Sequence, residues 1–254
     1  MPTQLPLHRV LVDSIRGLPA DSSIEAAASQ VSRMGRVLLT WELGGGLGHL
    51  VNLKPFAQQL SRRGHEVFAA LKDVTGAAEV FGNARVAYLQ APICAPGGTH
   101  VDLPRTFAEI MHNNGFCDLG SIRSLCQAWR HLYEYVQPDL IVFDHSPMAM
   151  LAARGLDAKR VMVGTGFFCP PLSYPLPDLR PALDSDPMEL RRCEDAVLAR
   201  MNDAAAEWGL PPRSRASPRR YRGGQRAGAG DEYDGRPAIA PRPPTLRCGE
   251  RTGR

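Results

Sequence analysis

Trp41-Glu-Leu-Gly-Gly-Gly-Leu-Gly-His49 follows directly on the apolar run Arg36-Val-Leu-Leu-Thr-Trp41. An uninterrupted apolar run of that length is expected of a strand buried on both faces of a parallel sheet. Beyond the glycines, Leu50, Leu53, Phe56, Ala57 and Leu60 recur at helical spacing, and Gly64 stops the helix after Arg63. The stretch therefore reads strand, glycine turn, helix. The turn lies at the carboxyl edge of a sheet, where α/β proteins place their ligands. Glycine permits positive φ and a close approach of backbone to ligand, and the helix N-terminus that follows favours negative charge.

The same alternation continues outward. Strands are expected over 66–71, 84–89, 140–143 and 160–163, and helices over 74–81, 119–136, 147–154 and 189–208. Pro147 suits the first turn of its helix, and 92–104, rich in Gly and Pro, reads as a loop. Repeated strand–helix units imply right-handed crossovers and a Rossmann-like α/β fold, a parallel sheet with helices on both faces. Phe56 and Trp129 fall at core spacing, and His65 lies in a tight helix–strand turn, a structural position. His112 and His131 sit on helical stretches, where surface or core roles are expected.

Composition divides the chain into three zones: an extension at 1–33, the alternating unit at 34–212 and a tail at 213–254. The tail holds eleven Arg, seven Gly and five Pro against four acidic residues, with only Ile239 and Leu246 among its large apolar side chains. It has too little to bury to offset ordering entropy, so disorder is expected. Residues 1–212 then carry 19 basic and 22 acidic residues, although the whole chain has a formal charge of +4. A mildly acidic folded part argues against nucleic acid as a partner. The abrupt switch after the last helix, into residue types that GC-rich codons give in a wrong frame, points to a frameshifted or truncated gene. Met34, immediately before the first strand, is an alternative start. No apolar run reaches the roughly 18 residues of a membrane span. The six cysteines form no C-x-x-C pair, so reduced thiols in a cytoplasmic protein are expected.

Two nucleotide fingerprints fail at the loop. Gly44, Gly46 and Gly48 give G-x-G-x-G rather than G-x-G-x-x-G, with His49 in the last glycine's place, and no Lys-Ser/Thr follows as a phosphate loop requires. Asp73, after the second strand, could imitate a ribose-binding acid and keeps a nicotinamide-dependent reading open. The glycine loop ending in Gly48-His49 resembles instead the N-terminal, acceptor-binding domain of family-1-type glycosyltransferases of the GT-B fold. The resemblance continues at Leu60-Ser-Arg-Arg-Gly-His-Glu-Val67 and at Gln137-Pro-Asp-Leu-Ile-Val-Phe-Asp144, and it covers about 34–212. In that family a C-terminal domain with its own His- and Gly-rich signature holds most of the donor nucleotide, and no such segment stands in this chain.

The resemblance implies that His49 is the general base on an acceptor hydroxyl and that Asp144 orients and stabilises its imidazole. An imidazole suits the task, since it exchanges protons near neutrality. Gly45, Gly46 and Gly48 are the backbone positions implied for approach of the nucleotide-sugar donor, which is a co-substrate; no cofactor or metal is implied. A hexose would pass with inversion to a small-molecule or lipid acceptor, and a chain without its donor half would be inactive alone. Phe107, Met111, Phe116, Phe167 and Phe168 fall where the family builds its acceptor pocket. The alternatives are a non-catalytic acceptor-binding module, and a sugar-nucleotide epimerase or an oxidoreductase with a Rossmann-like domain.

Overall fold

The computed structural model describes residues 34–94, 100–164, 170, 173–183 and 186–211. The extension at 1–33, the tail at 213–254, and Phe167 and Phe168 lie outside the described residues. The described chain forms a five-stranded, wholly parallel sheet in the order β3-β2-β1-β4-β5. Its strands are β1 (Arg36–Trp41), β2 (Glu66–Leu71), β3 (Val86–Gln90), β4 (Leu140–Asp144) and β5 (Lys159–Val163). The helices are α1 (Gly48–Arg62), α2 (Ala77–Phe81), α3 (Phe107–Met111), α4 (Leu119–Val136), α5 (Pro147–Ala152) and α6 (Pro187–Ala206).

Because successive side chains of a strand point to opposite faces, β1 feeds two cores. Val37, Leu39 and Trp41 join Leu140, Val142 and the apolar stripe of α1 on one face. Leu38 joins Ile141, Phe143 and the buried residues of α4 and α5, including Trp129, on the other. Phe56 and Trp129 are core residues, as their spacing predicts. His65 accepts at Nδ1 from the Gly35 amide at 3.2 Å, a structural contact at the amino edge.

The short helix α3 and the π-helical turn His112–Phe116 are absent from the expectations drawn above. Thr106 caps α3 by accepting from the Glu109 amide, and Asn114 and Gly115, the latter at φ 93°, break the helical geometry inside the π turn. Phe107, Met111 and Phe116, in the segments where the resemblance places an acceptor pocket, are buried in the α4-side core. Cys94, Cys117 and Cys126 are free thiols, whereas Cys193 is disulfide-bonded, contrary to the expectation of reduced thiols throughout. Among the described residues, no helix is long and apolar enough to cross a membrane.

The helix after β1 and the helix after β4 pack on opposite faces, so the chain leaves these adjacent strands in opposite directions. That is the topological switch point, where a crevice opens at the carboxyl ends of the strands. β1 and β4 are in register through Trp41 and Asp144. The topology therefore brings the segments after these two residues together.

Candidate active site at the switch point

His49 is the second residue of α1, and Asp144 is the last residue of β4. Although 95 positions apart, they meet: His49 Nδ1 lies 3.1 Å from Asp144 Oδ2. His49 is 6% exposed and Asp144 0%. A carboxylate can only accept, so with Asp144 ionised the contact places a proton on Nδ1. Trp41 stacks on one face of the imidazole with centroids 5.2 Å apart, and His145 lies on it at 5.7 Å. The ring is thus clamped in orientation by two neighbours and one hydrogen bond.

Burial pushes the Asp144 carboxyl above the usual carboxylate range, while the hydrogen bond and charge of His49, together with Asn52, pull it back. His145 is driven the other way. Burial first, and the His49 charge second, lower it from 6.5 to about 3. A base that weak stays neutral near pH 7 and is poorly suited to take up a proton. It serves as a wall: Phe107 stacks on it at 5.7 Å.

The glycine loop is exposed from Gly44 to Gly48. Gly44 has φ 83°, and a Cβ placed there would lie 2.5 Å from His49 Nε2. Any side chain at 44 would sit against that nitrogen, so glycine is required on two counts. Gly45, Gly46 and Gly48 would meet nothing within 4 Å and leave the loop open to a ligand. Leu47, at the N-cap of α1, provides no side-chain cap, and the first turn holds no acidic residue. The helix thus presents uncapped amides, which suit an anionic group.

Beside the loop lies a small cleft lined by Glu42, Leu43, Lys72, Pro92, Ile93, Cys94, Asn114, Leu125 and Met148. It mixes an apolar wall with a few polar groups, as small-molecule sites do. Lys72 Nζ donates to the Gly44 carbonyl at 2.7 Å and ties the second strand's end to the loop. Asp73, the ribose-binding acid of the redox alternative, accepts from the Thr75 amide and hydroxyl at 2.8 and 2.6 Å. No group of three or more His, Cys, Asp or Glu side chains among the described residues could hold a metal ion.

With that geometry in place, the chain can be set beside known proteins. No protein-family model matches it, and no curated protein does. Among solved structures it is similar to SsfS6 of Streptomyces sp. SF2575, at 18% identity and a TM-score of 0.41, over 71% of this chain and 48% of that one. SsfS6 complexed with thymidine diphosphate gives 19% identity and a TM-score of 0.41, over 70% and 46%. VinC, in complex with dTDP, gives 18% identity and a TM-score of 0.30, over 68% and 43%. Both are glycosyltransferases. This chain spans about half the length of either.

Sequence reasoning named both members of the buried pair. It gave no part in the site to Glu42 or Lys72, and took His145 only as a possible cap of the helix that starts at Pro147. Their one signal was position, since each follows the end of a strand at the carboxyl edge. That His145 packs on His49, and that Glu42 reaches α5, depends on the pairing of β1 with β4 across a hundred residues.

Proposed function

We propose that this chain carries the acceptor-activating side of an inverting, nucleotide-sugar-dependent glycosyltransferase. The observation that carries the reading is the buried His49–Asp144 hydrogen bond at the switch point. In the proposed step His49 Nε2 removes the proton of an acceptor hydroxyl as its oxygen attacks the anomeric carbon of the sugar. The carbon–oxygen bond to the nucleotide diphosphate breaks, and its electron pair departs with the diphosphate. Attack opposite the leaving group inverts the anomeric centre. Asp144 stabilises the imidazolium that forms, and base catalysis of this kind contributes about 10²- to 10⁴-fold.

The cleft beside the loop suits an apolar, hydroxylated acceptor, with Leu43, Ile93, Leu125 and Met148 as its greasy walls. The exposed backbone of Gly45, Gly46 and Gly48, at the uncapped start of α1, suits the donor's diphosphate. The donor itself is held mainly by a second α/β unit. Transfer requires both reactants in one geometry, so the 254-residue chain alone is expected to show no turnover.

The test is sugar transfer with a donor-binding unit supplied, fused or as a separate chain. His49→Ala is expected to lower kcat by about 10²- to 10⁴-fold while far-ultraviolet circular dichroism stays unchanged. Near-normal turnover in that variant would remove His49 from the mechanism. Binding of NADH by the wild-type chain, seen as a change in nicotinamide fluorescence, would favour the redox alternative instead.

A further inference from the structure

Glu42 stands between the two segments that carry His49 and Asp144, and the proton transfer proposed above gives it no part. It follows β1 directly and is 3% exposed. One carboxyl oxygen accepts from the Met148 amide at 2.5 Å, the other from the Ala149 amide at 3.1 Å. These amides belong to the first turn of α5, where the helix offers them no internal partner.

A helix start is usually satisfied by the residue just before it. Ser146 occupies that place here, but its side chain makes no capping bond. Its hydroxyl donates instead to the Asp144 carbonyl at 2.9 Å. The cap is supplied by a residue 106 positions away. Burial pushes the Glu42 carboxyl up to about 8, and only the backbone bonds and Trp129 oppose the rise. An acid buried at that cost does more than end a short helix, because a serine already in place could have capped it.

What the long-range cap achieves is a tie between the exits of β1 and β4. The Leu43 amide adds a second tie, donating to the His145 carbonyl at 3.0 Å. The two ties bracket His145, which has φ 48° and follows Asp144 immediately. A non-glycine residue in that region persists only where its surroundings hold it.

We propose that Glu42 is a positioning residue: its paired bonds to α5 hold the Asp144–Ser146 turn and so hold Asp144 Oδ2 against His49 Nδ1. The proposal rests on reading that pair as the general-base couple. Removing the tie lets the turn relax, and the imidazole loses the partner that fixes its tautomer.

The experiment is nuclear magnetic resonance of the full 254-residue chain, observing the His49 Nδ1–H proton and its exchange with solvent. Asp144→Asn identifies the signal by displacing it. Glu42→Ala is expected to speed its exchange by about tenfold or more, as for an opened hydrogen bond. Glu42→Gln, which keeps one acceptor oxygen, is expected to fall between wild type and Glu42→Ala, and it stands in if the alanine variant does not fold. Leu60→Ala, in the last turn of α1 at the opposite edge of the sheet, controls for lost stability and is expected to leave the signal protected. Wild-type protection in both Glu42 variants, or equal loss of protection in Leu60→Ala, would overturn the positioning role with the couple intact. A wild-type chain with no Asp144-dependent signal would overturn the couple and this proposal together.

Discussion

The turn after β1 and the turn after β4 lie side by side and are built in opposite ways. The first is exposed from Gly44 to Gly48, with two glycines at positive φ and open space around three. The second, Asp144 to Ser146, is buried, and its one left-handed residue is a histidine rather than a glycine. His49, the proposed base, sits at the end of the open turn. Its carboxylate partner sits at the start of the closed turn, where water cannot compete for the hydrogen bond. A low-dielectric surround strengthens that bond and makes any unpaired polar group there costly. On the function proposed above, ligand access falls to one strand exit and orientation to the other.

The contrast breaks most severely if the closed turn loses its support. Phe143 precedes Asp144 and is wholly buried. Phe143→Ala is expected to cost about 3–5 kcal/mol of stability, measured by urea denaturation, through lost transfer energy and the cavity left behind. A cost below about 1 kcal/mol would mean that this turn is no more tightly built than its neighbour.

Acidity comes next. His145 has its folded value lowered from 6.5 to about 3, so the unfolded chain binds a proton that the folded chain refuses. Its contribution is whole above pH 6.5 and is lost as pH falls toward 3, by an amount on the order of a few kcal/mol. His145→Asn keeps a residue that tolerates the left-handed conformation and should flatten that acid limb in thermal melts. Glu42 has the opposite sign. Raised from 4.5 to about 8, it stabilises below 4.5 and loses that contribution as pH rises to 8. The melting temperature should therefore decline from pH 6.5 to 8 in wild type and decline less in Glu42→Gln.

The smallest effects separate glycines within the open turn. Gly44→Ala meets both a positive φ and the His49 ring and is expected to cost at least about 1–2 kcal/mol. Gly45→Ala meets neither and should stay within about 0.5 kcal/mol. Equal costs in urea melts would show that the loop's glycines are not distinguished by the imidazole.

The same contrast separates what is legible in the sequence from what is not. The bounds of β1, β2 and α4 match their apolar patterns, because each buries a continuous run or a clean stripe. α3 and the π turn escaped notice. Phe107 to Phe116 is too short for a periodicity to establish itself, and its order comes from the Thr106 cap and from packing on α4 and α6. His49 and Asp144 were legible through motif resemblance, since each belongs to a local segment. Glu42 and His145 were not, because nothing local tells that a strand-end acid reaches a helix start more than a hundred residues on. The open turn is written in its glycines, whereas the closed one is written in contacts.

The central claim is that His49 and Asp144 act as one unit. It is tested most directly by a double-mutant cycle on transfer kinetics, with the donor-binding unit supplied. If the carboxylate works through the imidazole, adding Asp144→Asn to His49→Ala costs no further kcat, because residues acting as a unit are strongly non-additive. If the double variant instead loses the product of the two single losses, the residues act independently and the account of the switch-point site is wrong.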